Sequence, residues 1–148
     1  MGGPDFSFLS FFAMLKPMLH LTLLPQILAI CRLEHDAPVP SWTGDEKFVS
    51  ITRTGDELSV VCSQQRVPDG VTMEGGWRAF KVEGPLEFSL TGILSSLTLP
   101  LAEAGIPVFA LSTFDTDYLL VKGADIETAG RVLGQFCFLE EEGANRAH

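Results

Sequence analysis

Two short runs in this chain combine residue types that could hold a small charged molecule. Ser112-Thr113-Phe114-Asp115-Thr116-Asp117 places hydroxyls and carboxylates within an otherwise apolar stretch, and Ser89-Leu90-Thr91-Gly92-Ile93 stands at the start of a helical pattern. A helix start offers unpaired N–H groups and the positive end of the macrodipole, so it favours a carboxylate. An aspartate favours an ammonium or guanidinium group. Together they would hold both charged ends of an amino acid, with Leu90, Thr91, Gly92 and Ile93 on one side and Ser112, Thr113, Asp115 and Asp117 on the other. Gly92 has no Cβ and would admit a ligand close to the backbone. The residues alone leave a second reading open, in which the aspartates shape a turn and Ser89 caps a helix.

Catalytic chemistry finds no support. His20, His35 and His148 are isolated, Cys62 follows apolar Val60-Val61, and Cys137 lies between Phe136 and Phe138. Neither a phosphate-cradling glycine loop nor a G-x-S-x-G elbow occurs, so no catalytic residue, metal ligand or cofactor is expected and the chain reads as a non-enzyme. Three widely spaced cysteines suggest neither a disulfide framework nor a zinc knuckle, and fit a reducing cytoplasm. With 19 acidic against 10 basic residues the formal net charge is −9, and the basic residues form no stripe, which argues against a nucleic-acid partner. No run reaches the roughly 18–20 apolar residues of a spanning helix. The nearest, residues 6–15, is broken by Ser7 and Ser10, so no membrane partner is expected and residues 1–17 read as a poorly ordered extension.

The elements that would position the two runs follow from periodicity. Residues 78–82 read as a strand closed by Gly84-Pro85. Leu90, Ile93, Leu94, Leu97, Leu101 and Ala104 recur at helical spacing, with Ser89 or Thr91 as N-cap, Gly105 as C-cap and a kink expected at Pro100. Residues 107–111 and 118–121 form a hairpin turning through Asp115-Thr116. Asp125 caps a second helix through Leu133, and residues 136–139 make a final strand. The order is βαββαβ, the split βαβ of ferredoxin-like folds. Glu140-Glu141-Glu142 opens an acidic tail, residues 140–148.

The preceding residues repeat this grammar weakly. Ile51-Thr52-Arg53-Thr54-Gly55-Asp56-Glu57-Leu58-Ser59-Val60-Val61 aligns with the 111–121 hairpin at an offset of about 60, which suggests two related units. Residues 21–24, 27–33, 48–53 and 57–62 read as strands. Pro38 and Pro40 forbid a long helix between 35 and 43, leaving a 3₁₀ segment, and residues 64–67 allow one helical turn. Gly75-Gly76 marks the expected boundary between a degenerate first module, 18–75, and a second, 76–139. With so little helix, the first half is expected to lean on the second as one cooperative folding body.

From Gly84-Pro85-Leu86 through Thr91-Gly92-Ile93-Leu94, Leu101-Ala102-Glu103-Ala104-Gly105-Ile106 and Leu111-Ser112-Thr113-Phe114 to Asp117-Tyr118-Leu119-Leu120-Val121, the chain resembles the ACT domain family. The likeness is to small bacterial tandem ACT proteins and to the animal cytosolic arginine sensor, through Ser-Thr-(Phe/Tyr)-x-x-Asp after an Ala-(Gly/Asp)-(Ile/Val) turn. It covers roughly residues 19–133. The resemblance implies α+β, ferredoxin-like βαββαβ modules in tandem, with an amino acid held between neighbouring modules. It also implies that Asp117 contacts the ligand. Leu90 stands where the arginine sensor carries an acid, which points to a smaller or apolar amino acid. The implied role is a regulatory sensor module, forming a homodimer and passing its state to a protein partner. The alternative is a ligand-free interaction module.

Overall fold

The computed structural model describes residues 19–83 and 92–143. The expectations for the 1–17 extension, for Ser89, Leu90 and Thr91, and for residues 144–148 of the acidic tail lie outside these residues. Among them run β1 (His20–Leu23), β2 (Leu28–Leu33), β3 (Ser50–Arg53), β4 (Leu58–Ser63), β5 (Thr72–Val82), α1 (Ile93–Glu103), β6 (Phe109–Ser112), β7 (Asp117–Lys122), α2 (Ile126–Leu133) and β8 (Phe138–Glu141). The chain separates into two compact units. One is Gln26–Arg78; the other joins residues 19–25 to 79–143. This division does not follow the linear one expected at Gly75-Gly76. Both glycines lie inside the eleven-residue β5, where the Gln64 side chain lies so close that a Cβ at Gly75 would sit 2.5 Å from its Oε1. The Gly76 N–H donates to that oxygen at 2.7 Å. The pair is a close backbone approach within a strand, a use of glycine that resembles a linker when read linearly.

In the 26–78 unit β3, β4, β2 and the first part of β5 pair in that order, antiparallel throughout. Pro38 and Pro40 limit the expected helical region to a 3₁₀ turn at Ser41–Thr43, and a second such turn occupies Gln64–Arg66. Loops take the place of a helix. Ala29, Cys31, Leu58, Val60 and Cys62 form a buried cluster, covered by Ala37, Trp42, Val49, Val67 and Val71. Two polar anchors hold that cover. The Arg53 guanidinium donates to the carbonyls of His35 and, at 2.7 Å, Ala37. The Glu46 carboxylate, largely buried, pairs with Arg66 Nε at 3.1 Å and accepts from Ser63 Oγ at 3.1 Å.

The other unit is the ferredoxin-like one, with a difference. From β5 onward the order is βαββαβ, with β7 between β5 and β6. On the other side of β5, however, stands β1, antiparallel to it through Leu21↔Val82 and Leu23↔Phe80. The final strand β8 then pairs with β1, in parallel, through His20↔Phe138 and Leu23↔Glu141. The expected tail therefore begins as strand: Glu140 and Glu141 belong to β8. Period-two alternation turns Leu21, Val82 and Leu139 to the helices, where Ile93, Leu97, Leu101, Ala129 and Leu133 complete the core.

Helix α1 continues through Pro100 to Glu103. It ends in a Schellman motif: Ile106 N–H bonds Leu101 C=O at 2.9 Å and Gly105 N–H bonds Ala102 C=O at 2.9 Å, with Gly105 left-handed at φ 76°. Ala104 is the C-cap and Gly105 the residue after it. Asp125 stands at the N-cap of α2, as expected, without a side-chain capping bond. On α2, a Cβ at Gly134 would sit 2.9 Å from the Gly130 carbonyl, and Leu139 lies beside both glycines.

Two predictions follow from this packing. A fragment of residues 72–148 lacks β1, the partner of β8, and with it the fully buried Leu21. It should show no cooperative thermal transition by circular dichroism. The second concerns the adjacent buried thiols in the 26–78 core. Burial, reinforced by Cys31 and the Glu46 charge, pushes the Cys62 thiol up from 9.0 to about 12. The folded state thus keeps a proton that the unfolded chain releases. Stability from this group is fully present below pH 9.0 and lost as pH rises towards about 12. Denaturant melts across that range should fall less steeply for Cys62→Ala than for the parent.

Candidate functional site

The β6–β7 hairpin carries the Ser-Thr motif at one end of the ferredoxin-like sheet. Its strands pair from Phe109↔Leu120 to Ser112↔Asp117, so the last pair before the turn brings a hydroxyl opposite a carboxylate. Ser112 Oγ donates to Asp117 Oδ1 at 2.6 Å, a length typical of charge-assisted bonds. The second carboxylate oxygen of Asp117 has no protein partner among the described residues, and the residue is half-buried.

The turn itself is closed by Thr113 and Thr116, and neither aspartate shapes it. Thr113 N–H donates to Thr116 C=O at 2.8 Å, and Thr116 N–H donates to Thr113 Oγ1 at 3.2 Å. Thr116 also turns inward, 6% exposed, and its hydroxyl donates to the carbonyl of Val82, the last residue of β5. That bond ties the hairpin turn to the strand from which the chain leaves for α1. Asp115 is exposed at the tip of the turn.

Helix α1 begins at the same end of the sheet, because it follows β5 and its C-terminal end leads back to β6. Its N-cap is Gly92, at φ 80° and ψ 3°, a left-handed conformation that costs glycine little. The cap position expected at Ser89 or Thr91 thus falls on Gly92, which has no side chain to cap with. The Gly92 carbonyl accepts Ser96 N–H at 2.8 Å and Ser95 Oγ at 3.1 Å. Ile93 is buried in the core at 5% exposure, so its side chain packs inward from the helix start. The structure thus places Gly92, Ile93, Ser112, Thr113, Asp115 and Asp117 at one end of the unit. Leu90 and Thr91 lie outside the described residues.

Thr116 was missed in the sequence, although the Thr-x-x-Thr spacing across the turn is the pattern of a hydroxyl-closed hairpin. Gly92 was singled out as a point of close approach; its left-handed cap came to light only in the backbone. Among the described residues, no grouping of His, Cys, Asp and Glu could hold a metal ion, and no helix is long and apolar enough to cross a membrane.

A family model described as the ACT domain matches residues 72–135, and another, described as an N-terminal domain, matches 26–70. Residues 72–135 are an ACT domain. The crystal structure of a protein from Agrobacterium tumefaciens is 40% identical, superposes with a TM-score of 0.80, and is matched over 88% of this chain and 98% of its own. Human CASTOR3P is 31% identical over 93 residues, 54% of this chain and 57% of CASTOR3P. The chain therefore spans little more than half of that curated relative. The regulatory subunit of aspartate kinase from Thermus thermophilus shares the fold at 9% identity, with a TM-score of 0.53 over 74% of this chain and 92% of the subunit.

Replacing Thr116 with valine keeps the shape but removes the donor to the buried Val82 carbonyl. The unfolding free energy should fall by about 1–3 kcal/mol, measured by urea denaturation, with the circular dichroism spectrum of the folded protein unchanged.

Proposed function

We propose that this chain is an amino-acid-binding regulatory module without catalytic activity, and that its ligand sits at the end of the ferredoxin-like sheet between α1 and the β6–β7 hairpin. The observation that carries the reading is the Ser112–Asp117 bond. It fixes one carboxylate oxygen and leaves the other to accept an ammonium group, at the end of the sheet where a helix starts on a glycine. The N–H groups of Gly92 and Ile93 receive the ligand carboxylate, as the unpaired donors of a helix start do. The Ser112 hydroxyl sets the orientation of Asp117. Thr113, occupied in closing the turn, acts through the shape of the hairpin. Leu90 and Thr91, next to the helix start, complete the proposed set, and Leu90 favours an apolar or small ligand side chain over a guanidinium. Asp115, exposed at the tip, contributes charge.

Support comes also from the family, whose regulatory character is evident in the aspartate kinase subunit. The reading further includes a homodimer, since two-fold pairs are the commonest assemblies, a cytoplasmic location, and a protein partner that receives the bound or free state. Light scattering that finds only monomer across a wide concentration range would remove the dimer.

The test is a thermal-shift screen against the twenty amino acids, followed by calorimetry. A ligand at 100 times its dissociation constant adds about 2.7 kcal/mol to stability. Asp117→Ala should weaken binding by about ten- to one-hundredfold through loss of a charge-assisted bond. Gly92→Val should abolish it, because a β-branched residue does not adopt φ 80° without strain. Ser112→Ala separates the two effects: it leaves the backbone alone and should weaken binding less than Asp117→Ala. If no amino acid binds, the chain is instead an interaction module.

A further inference from the structure

The face of the β8–β1–β5 sheet turned away from the helices carries a pattern that the amino-acid site does not use. Alternation puts Leu21, Val82 and Leu139 into the core, and so turns His20, Thr22 and Lys81 outward with Phe138 and Glu140, their partners in register. His20, Thr22, Lys81, Glu83 and Glu140 line a concavity of about 930 Å³ together with Glu142, and Phe138 stands beside it against His20. The volume exceeds what a single amino acid fills and is within the range of sites for larger ligands.

Its chemistry is one-sided. Glu83 is engaged at both oxygens, accepting from Thr22 Oγ1 at 2.7 Å and pairing with Lys81 Nζ at 3.7 Å. Glu140 and Glu142 are exposed and have no ion-pair partner among the described residues. The local cation is thus already spent on one carboxylate, and the others face an unbalanced negative field. Beside them His20 stacks on Phe138, ring centroids 4.9 Å apart and planes within 20°, and Phe138 is 49% exposed. An aromatic surface next to carboxylates is the combination that receives a guanidinium, which stacks by its plane and donates in pairs at its edge. Beyond β8 no further strand pairs among the described residues. An extended segment added beside β8 would therefore also meet main-chain donors and acceptors at this edge.

We infer that the outer face of the β8–β1–β5 sheet docks a basic, arginine-bearing segment of a partner protein. Charge complementarity excludes the other occupants. On this face the carboxylates of a second copy would meet their own counterparts, so copies do not pair through it, and phosphate-rich nucleic acid or anionic lipid is repelled by the same carboxylates. The inference rests on the outer face of the sheet and uses neither the Ser112–Asp117 pair nor the helix start of the amino-acid site.

The test uses the whole chain and a fluorescein-labelled hexa-arginine peptide, followed by anisotropy at low and physiological salt. The peptide should bind, more weakly as salt rises, and more tightly than hexalysine. E140Q/E142Q should lose about tenfold or more in affinity, while D36N/D69N, which removes the same charge from exposed positions of the 26–78 unit, and D117A should retain the parent value. All four carboxylates of the two double variants are exposed, and circular dichroism should show each variant folded. Absence of binding, equal losses in the two double variants, or hexalysine binding as tightly as hexa-arginine would each overturn the inference.

Discussion

The ferredoxin-like unit depends on one strand pairing that its linear motif omits. In a βαββαβ unit the last strand ordinarily lies beside the first. Here β1, four residues long, stands between β5 and β8, antiparallel to one and parallel to the other. Leu21 at its centre is fully buried, and the backbone ladder continues past the strand ends, from Leu24 N–H to Ala79 C=O and from Glu142 N–H to Leu23 C=O. Everything on that side of the sheet, including the acidic rim of the outer face, is held through this strand.

The opposite flank is organised by the Thr116 hydroxyl. A buried donor on a carbonyl at the end of β5 fixes where the hairpin turn sits relative to the exit towards α1. With that geometry set, the Ser112–Asp117 pair needs only strand register to form, since the two residues are opposite each other. The site thus draws its order from ordinary β pairing and one side-chain anchor, without a buried ion pair and its desolvation cost.

Strands, hairpins and short 3₁₀ turns were largely legible, because alternation and proline placement are local signals. The 51–61 and 111–121 stretches both proved to be hairpins, and the prolines at 38 and 40 did exclude a helix. What stayed hidden depends on partners far apart in sequence. Gly75-Gly76 looks like a linker, yet it is where Gln64 lies against a continuous strand. Glu140-Glu141 looks like a solvated tail, and becomes strand because β1 offers an open edge. The helix is legible in its apolar spacing, while its first residue, Ile93, and its cap are not, since a left-handed glycine leaves no mark in a pattern of polar capping residues. Of the proposed ligand contacts, neither the opposition of Ser112 and Asp117 nor their hydrogen bond was legible, since a turn through Asp115-Thr116 would set Phe114 opposite Asp117, whereas the loop takes in residues 113–116.

The pairing of β1 with β5 also bears on how such a chain could arise. The two strands are antiparallel, and Leu24 N–H meets Ala79 C=O at 2.8 Å, so the 26–78 unit leaves and re-enters its host at neighbouring points. In genealogical terms that unit is a guest within a hairpin loop, and the host strands would need only a short turn to close without it. Insertions whose ends meet are tolerated because the host backbone need not move. A chain of this architecture can therefore exchange or shorten the guest while the host sheet keeps its strand order.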